Sequence, residues 1–293
     1  MNKLKDKNLY FVGGVVRDEI FGAESLDTDF CYEGNAIEFG KNNFSENLIK
    51  INEAFGTIRL KFGEKEVDIA STREETYPKA GHLPVVKNIG CSLKDDLKRR
   101  DFTINAMAKN TITGEVFDPF DGKTDIKNKQ IRVLHPKSFI DDPTRIIRAL
   151  KFSVRFGFEL SEDTKTLQDE YLNNINYDMS YHRLKNELVE TFSLNSAEAF
   201  NKFNNEGIYK LLGKNQRRIN LSGNVIKKAC STHNKTENLW LVYLSFYNLE
   251  TLPLTRKEKN ILSWSEKLKE QKISNNTPKE SIIIFNLKKE TDC

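Results

Sequence analysis

Apolar residues in the first 125 positions come in short runs and two-residue alternations; beyond about residue 138 they come at helical spacing. Leu9–Val12 and Asp29–Tyr32 are short β-prone runs, and 57–62 and 66–70 alternate polar with apolar residues around Gly63-Glu64-Lys65. A period of two lays the apolar side chains on one strand face, and a short connection containing glycine between two such runs predicts a hairpin. The predicted strands are therefore Leu9–Val12, Asp29–Tyr32, 58–62 and 66–70. A helix is predicted over 36–48, with helical turns over Leu93–Lys98 and 103–108. Residues 71–92 hold Pro78, Gly81, Pro84 and Gly90 and read as a long irregular stretch, a kind of loop that is usually functional or disordered.

From about residue 138 the pattern reads as all helix. Pro143 stands where a first helical turn starts, with Asp141 and Asp142 as N-terminal acids. Ile146, Ile147, Leu150, Phe152, Val154 and Phe156 follow, up to Gly157. Further helices are expected near 162–174, 180–193, 196–204, 223–231, 236–247 and 254–271. The segment 236–247 is strongly apolar and is expected to pack in a core. Residues 274–293 are polar at first, with Pro278, and then carry an apolar run over 282–287. There is no internal repeat and no low-complexity segment.

Composition changes this picture in three respects. A chain of 293 residues is long enough for two or three structural units. The formal net charge is only +4, but basic residues cluster at Lys98-Arg99-Arg100, at Arg145, Arg148, Lys151 and Arg155, and at Lys214, Arg217, Arg218, Lys227 and Lys228. Such clusters are expected where phosphates are held; an ordinary solvated face is the alternative. The four cysteines (Cys31, Cys91, Cys230, Cys293) form no C-x-x-C pair, so neither a zinc site nor a disulfide framework follows. With no apolar run of 18 residues, the chain reads as cytoplasmic, with reduced thiols and no membrane partner. His82, His135, His182 and His233 are scattered, and each is read as structural.

Three motifs carry chemistry. In the first, Leu9–Val12 runs into Gly13 and Gly14, then Arg17 and Asp18, then Asp27-Thr28-Asp29. Glycines let backbone N–H groups approach a phosphate. Asp27 and Asp29, two apart on a strand, share a face and repel unless a cation lies between them; Mg²⁺ is bound through one or two carboxylates plus substrate phosphates. In the second, RRDFTINAMA over 99–108, Arg99 and Arg100 point apart, so one can bind phosphate while the other pairs with a carboxylate. Asp101 and Asn105 are four apart and are expected to share a helix face able to hold a ribose. In the third, FIDDPTRIIRALKF over 139–152, the spacing places Asp142, Arg145 and Arg148 on one side of a helix. An aspartate accepting from an exocyclic amine beside an arginine donating to a ring nitrogen or oxygen fits cytosine and adenine. Uracil and guanine would be mispaired, at about 1–3 kcal/mol per group. A salt-bridged amphipathic helix is the alternative for this motif.

Taken in order, G-G-x-V-R-D, D-x-D, R-R-D-F-T-I-N-A-M-A and D-D-P-T-R-I-I-R-A resemble the bacterial class II tRNA nucleotidyltransferase and poly(A) polymerase family. DIASTREETYPKAGHLPVV over 68–86 resembles that family's flexible loop, and SYHRLKNELVE over 180–190 the helix that follows its neck. The match covers roughly 9–212. The resemblance implies an α+β fold: a polymerase-beta-like nucleotidyltransferase head with a mixed sheet over 1–137, a helical neck with a base reader over 138–212, and a short helical body and tail over 213–293 that grips tRNA. It implies metal-dependent, template-independent transfer of CMP and/or AMP from CTP and ATP to a tRNA 3′ end, releasing pyrophosphate. A partial CC-adding or A-adding enzyme and a poly(A) polymerase are the alternatives, and an inactive RNA-binding module is a remote one. Asp27 and Asp29 match the catalytic ligands of Mg²⁺. Gly14, Arg17, Arg100, Asp142, Arg145 and Arg148 match nucleotide-binding positions, and Asp101 and Asn105 join them. Lys151 stands where other members carry arginine, and Asp141 where many carry glutamate. Asp68 is either a third carboxylate or a structural hairpin residue. Oligomeric state does not follow from these motifs.

Overall fold

A computed structural model describes residues 4–25, 28–194, 197–232 and 236–291. Asp27, His233 and Cys293 lie outside the described residues. The chain forms two compact units, one being Met1–Asp141 with Glu159–Lys165, the other Asp142–Phe158 with Thr166–Cys293.

The first unit is built on a seven-stranded mixed sheet. Its strands are β1 (Leu9–Val12), β2 (Asp29–Tyr32), β3 (Leu48–Asn52), β4 (Thr57–Phe62), β5 (Lys65–Ser71), β8 (Ala108–Asn110) and β9 (Val116–Phe117), in the order β3-β4-β5-β2-β1-β8-β9. The β2–β5 pair is parallel, with Asp29 opposite Asp68, and the other pairs are antiparallel. Alternation sets the two faces. Leu9, Phe30, Ile58, Leu60, Val67 and Ile69 pack with Ala36 and Phe39 of α2 (Ala36–Asn43). On the other face Val12 and Cys31 pack with Leu93 and Leu97 of α3 (Leu93–Lys98). Strands β1 and β2 and helix α3 have their expected bounds. The expected helix 36–48 ends at Asn43, whose side chain turns back to the Phe39 carbonyl at 2.9 Å, and Leu48–Asn52 is spent pairing with β4.

Further expectations for this unit are corrected. The stretch 71–92 is not irregular: β6 (Arg73–Thr76) and β7 (Val85–Ile89) pair as an antiparallel hairpin. The expected turns over 103–108 reduce to a 3-10 turn at Thr103–Asn105, after which Ala108–Asn110 joins the sheet beside β1. The remaining elements are α1 (Gly14–Phe21), α4 (Gly122–Lys127), β10 (Gln130–Ile131), α5 (Ser138–Asp141) and β11 (Glu159–Leu160), the last pairing in parallel with β10 inside a region expected to be wholly helical.

Helices make up the second unit: α6 (Thr144–Phe156), the body of α7 (Glu162–Asn173), α8 (Tyr181–Ser193), α9 (Ala197–Asn205), α10 (Gly223–Thr232), α11 (Leu239–Leu244), α12 (Arg256–Lys267) and α13 (Lys279–Thr291). Its core is aromatic. Phe192 lies 5.3 Å from Phe203 and 5.6 Å from Tyr243, and Trp240 is buried, so the apolar segment 236–247 packs inside as expected. The run 282–287 contributes Ile283, Ile284 and Leu287 to the interior. No described helix is long and apolar enough to cross a membrane.

Candidate nucleotidyl-transfer site

β1 leads straight into a glycine turn. Gly13 has φ +69° and caps α1, a backbone that side-chain-bearing residues rarely adopt. A Cβ on Gly13 would stand 3.3 Å from Arg100 Nη1, and one on Gly14 would stand 3.5 Å from Arg17 Nη2. Two guanidinium groups thus flank the turn, as an anion site requires.

Arg17 is buried, at 5% exposure. Its Nε donates to Asp18 (2.8 Å) and its Nη1 to the Asn105 side-chain oxygen (2.6 Å). Asn105 donates to Asp101 (3.0 Å), which also accepts from the Phe102 amide (2.8 Å). Asp101 and Asn105 therefore meet, but not on the shared helix face expected of them. Asp101 lies before the 3-10 turn and holds Asn105, which in turn holds Arg17.

Beyond the part of the second sheet face that α3 covers, the end of that face is exposed and acidic. Asp29 begins β2, and both it and its register partner Asp68 are exposed. Asp68 sits in mid-strand on β5, within the predicted strand. Arg59 on β4 binds both its carboxylate oxygens, Nε at 2.7 Å and Nη2 at 2.8 Å. Asp29, Asp68, Arg59, Arg100, Val12 and Lys50 line a cavity of about 290 Å³. Arg100 reaches it from the end of α3, with Nη2 3.3 Å from Asp96. Its Nε is buried without a hydrogen-bond partner among the described residues. Paired carboxylates on adjacent strands are an oxygen donor set that suits a hard divalent cation. Among the described residues no three such donors converge.

In the helical unit, Asp142 and Arg145 are 5% and 4% exposed. Asp142 lies ahead of α6, not on it. Its carboxylate accepts from the Thr144 amide (3.1 Å) and hydroxyl (2.6 Å) and pairs with Arg183 on α8. Arg148 is drawn to Glu187 of α8 (3.1 Å) and lies over the Phe152 ring. Lys151 bridges Glu187 (2.8 Å) and Glu190 (2.6 Å). The expectation is corrected in one respect: Asp142 precedes α6 instead of lying on it, while it and Arg148 both engage α8, through Arg183 and Glu187. Burial, with Tyr181 and Asp142 close by, pushes the Tyr171 hydroxyl above its usual range. Arg183 was not singled out by its motif; its partner is 41 residues away, beyond any local spacing rule.

A mixed sheet that feeds a glycine turn beside an acidic open face is a nucleotidyltransferase head. Residues 9–132 match the poly A polymerase head domain. The A-adding tRNA nucleotidyltransferase of Aquifex aeolicus (strain VF5) is 48% identical over 169 residues, 56% of this chain and 20% of that protein, so the chain spans about a fifth of that relative's length. A solved tRNA-processing enzyme complex is similar with a TM-score of 0.74 and 31% identity, covering 96% of this chain and 85% of that one. A CCA-adding enzyme in an apo form is similar with a TM-score of 0.77 and 28% identity, covering 94% and 74%. The chain belongs to the family of tRNA nucleotidyltransferases and poly(A) polymerases.

Proposed function

We propose that this protein transfers CMP and/or AMP from CTP and ATP to the 3′ end of tRNA without a template, releasing pyrophosphate, in the cytoplasm. The observation that carries the reading is Arg100, whose Nη1 flanks the Gly13 turn and whose side chain lines the cavity together with Asp29 and Asp68. A guanidinium beside a glycine turn is a charge-assisted donor suited to a nucleotide phosphate.

In this reading the Gly13-Gly14 backbone and Arg100 hold the triphosphate. Arg17 reinforces the turn from beneath, fixed by Asp18, Asn105 and Asp101. Asp27 and Asp29 would hold a divalent cation, Mg²⁺ by their oxygen chemistry, which supplies charge neutralisation at the α-phosphate and acidifies the attacking 3′-hydroxyl. Asp68 is a reserve carboxylate whose charge Arg59 balances. Asp142 and Arg145 read the base edge, accepting from the exocyclic amine and donating to the ring, with Arg183 and Thr144 orienting Asp142. Arg148 steadies α6 against α8 on the flank of the reader. The head is taken as 1–137, the neck as 138–212, and 213–293 as a tRNA-gripping body. Lys214, Arg217, Arg218, Lys227 and Lys228 are all exposed on the last of these.

A narrower reading, addition of the terminal A alone, is favoured by the 48% identity to an A-adding relative. Incubation with tRNAs ending at the discriminator base, at C and at CC, each supplied with one nucleotide at a time, tests both. CCA addition predicts extension of all three; A addition predicts extension of the CC-ending tRNA by ATP alone. Extension of none contradicts the proposal.

A further inference from the structure

A chain of buried ion pairs runs from the β6–β7 hairpin to the candidate nucleotide site, and its hub is Asp96, fully buried on α3. One Asp96 oxygen accepts from Arg99 (Nε 3.0 Å, Nη2 2.9 Å) and from the backbone N–H of Arg73 at the start of β6 (3.1 Å). The other accepts from Arg100 Nη2 (3.3 Å) and faces the Cys31 thiol at 3.9 Å. On the hairpin, Glu75 Oε1 accepts from Arg73 Nε (2.8 Å) and from Arg99 Nη1 (3.0 Å). Arg73 also donates to the Phe55 carbonyl at 2.9 Å. Side-chain exposures along this path are small: 5% for Glu75, 17% for Arg99 and 18% for Arg100.

Three guanidinium groups meet two carboxylates, so the cluster carries one surplus positive charge. That surplus belongs to Arg100, which has the weakest hold on Asp96 and lines the cavity. Burial pushes the Asp96 carboxyl upward, but Arg100 and Arg99 outweigh it and hold it below the usual carboxylate range, so it is ionised at neutral pH. Anything that lifts Glu75 removes one of the carboxylates that hold Arg99. The Asp96 charge is then shared differently between Arg99 and Arg100, because buried charges in contact compensate one another.

We propose that Asp96 and Glu75 are positioning residues that link the seating of the β6–β7 hairpin to the grip of Arg100 on the nucleotide phosphates, an inference that rests on the nucleotidyl-transfer reading. A purely structural cluster would stabilise the head and leave nucleotide affinity alone. The linked cluster makes hairpin position part of nucleotide recognition, although no hairpin residue lines the cavity.

The test is a double-mutant cycle on the full chain. Asp96→Asn alone is a poor probe, because loss of a buried hub charge can unfold the head, so the cycle uses Glu75→Gln at the far end of the path. Binding of CTP and ATP, KM, kcat and the thermal midpoint are measured for wild type, Glu75→Gln, Arg100→Lys and the double variant. The expected result is a rise of about fivefold or more in nucleotide Kd and KM for Glu75→Gln, with kcat changed less. In the double variant the loss should fall short of the product of the single losses by about threefold or more. Multiplicative losses, or a lowered thermal midpoint with unchanged Kd, would overturn the inference alone. A wild-type protein that binds neither nucleotide would overturn the functional reading and this inference together.

Discussion

At the scale of single residues, buried charges are held by other charges. Asp142 is engaged by Arg183 and Thr144, and Arg145, three residues on, is buried on α6. Arg145→Ala should therefore lose base discrimination before it loses fold. The expectation is a drop of roughly one to two orders of magnitude in preference over UTP and GTP, from about 1–3 kcal/mol of lost pairing. Incorporation of the four nucleotides, each measured separately, checks this; an unchanged preference at a lower rate would make Arg145 structural. Gly13, Gly14, Arg17 and Asp29 were legible in the sequence because their spacing is local and their chemistry unusual for a plain turn. Glu75, Asp96 and Arg183 were not. Their partners are reached only through the fold, as with Glu75 and Arg99, 24 positions apart.

At the scale of elements, the β6–β7 hairpin is the segment where polarity hid structure. β6 reads Arg-Glu-Glu-Thr, polar toward both faces, so no period-two pattern announces it. β1 and β2, apolar toward two packed faces, and the β4–β5 hairpin, with one face on the core, were readable for the converse reason. Helix 36–48 was overread because the helix closes at Asn43, and Leu48–Asn52, whose Ile49-Lys50-Ile51-Asn52 alternates at period two, pairs with β4 instead. The hairpin's far end is latched, the Gly81 N–H donating to the Asp141 carbonyl at 3.0 Å, next in sequence to Asp142. A pocket that reads cytosine and then adenine must change shape between steps, and lids of this kind gate specificity. Shortening the tip at 77–84 is expected to cripple A addition and leave C addition largely intact, read as separate CTP and ATP incorporation rates. An equal fall in both would make the hairpin a stability element.

At the scale of the whole molecule, the near-neutral net charge conceals a division of labour. Charged side chains of the head such as Arg17, Asp18 and Asp96 are buried in ion pairs, while the basic residues at 214–228 are exposed. Replacing Arg217 and Arg218 by glutamine should weaken tRNA binding and lower the slope of log affinity against log salt by about one to two, with little change in KM for nucleotide. A salt slope equal to wild type would remove these residues from the RNA surface. The aromatic core of the helical unit was foreseen from 236–247, since a run that apolar has nowhere else to go. The central claim is that the acidic end of β2 is where the phosphoryl bond is exchanged. The direct measurement is extension of a tRNA lacking its terminal A by wild type and by Asp29→Asn, with ATP and Mg²⁺, counting pyrophosphate released per nucleotide added. The account predicts one pyrophosphate per addition by wild type, and loss of about a hundredfold or more by Asp29→Asn at an unchanged thermal midpoint. Extension by Asp29→Asn at the wild-type rate would contradict it.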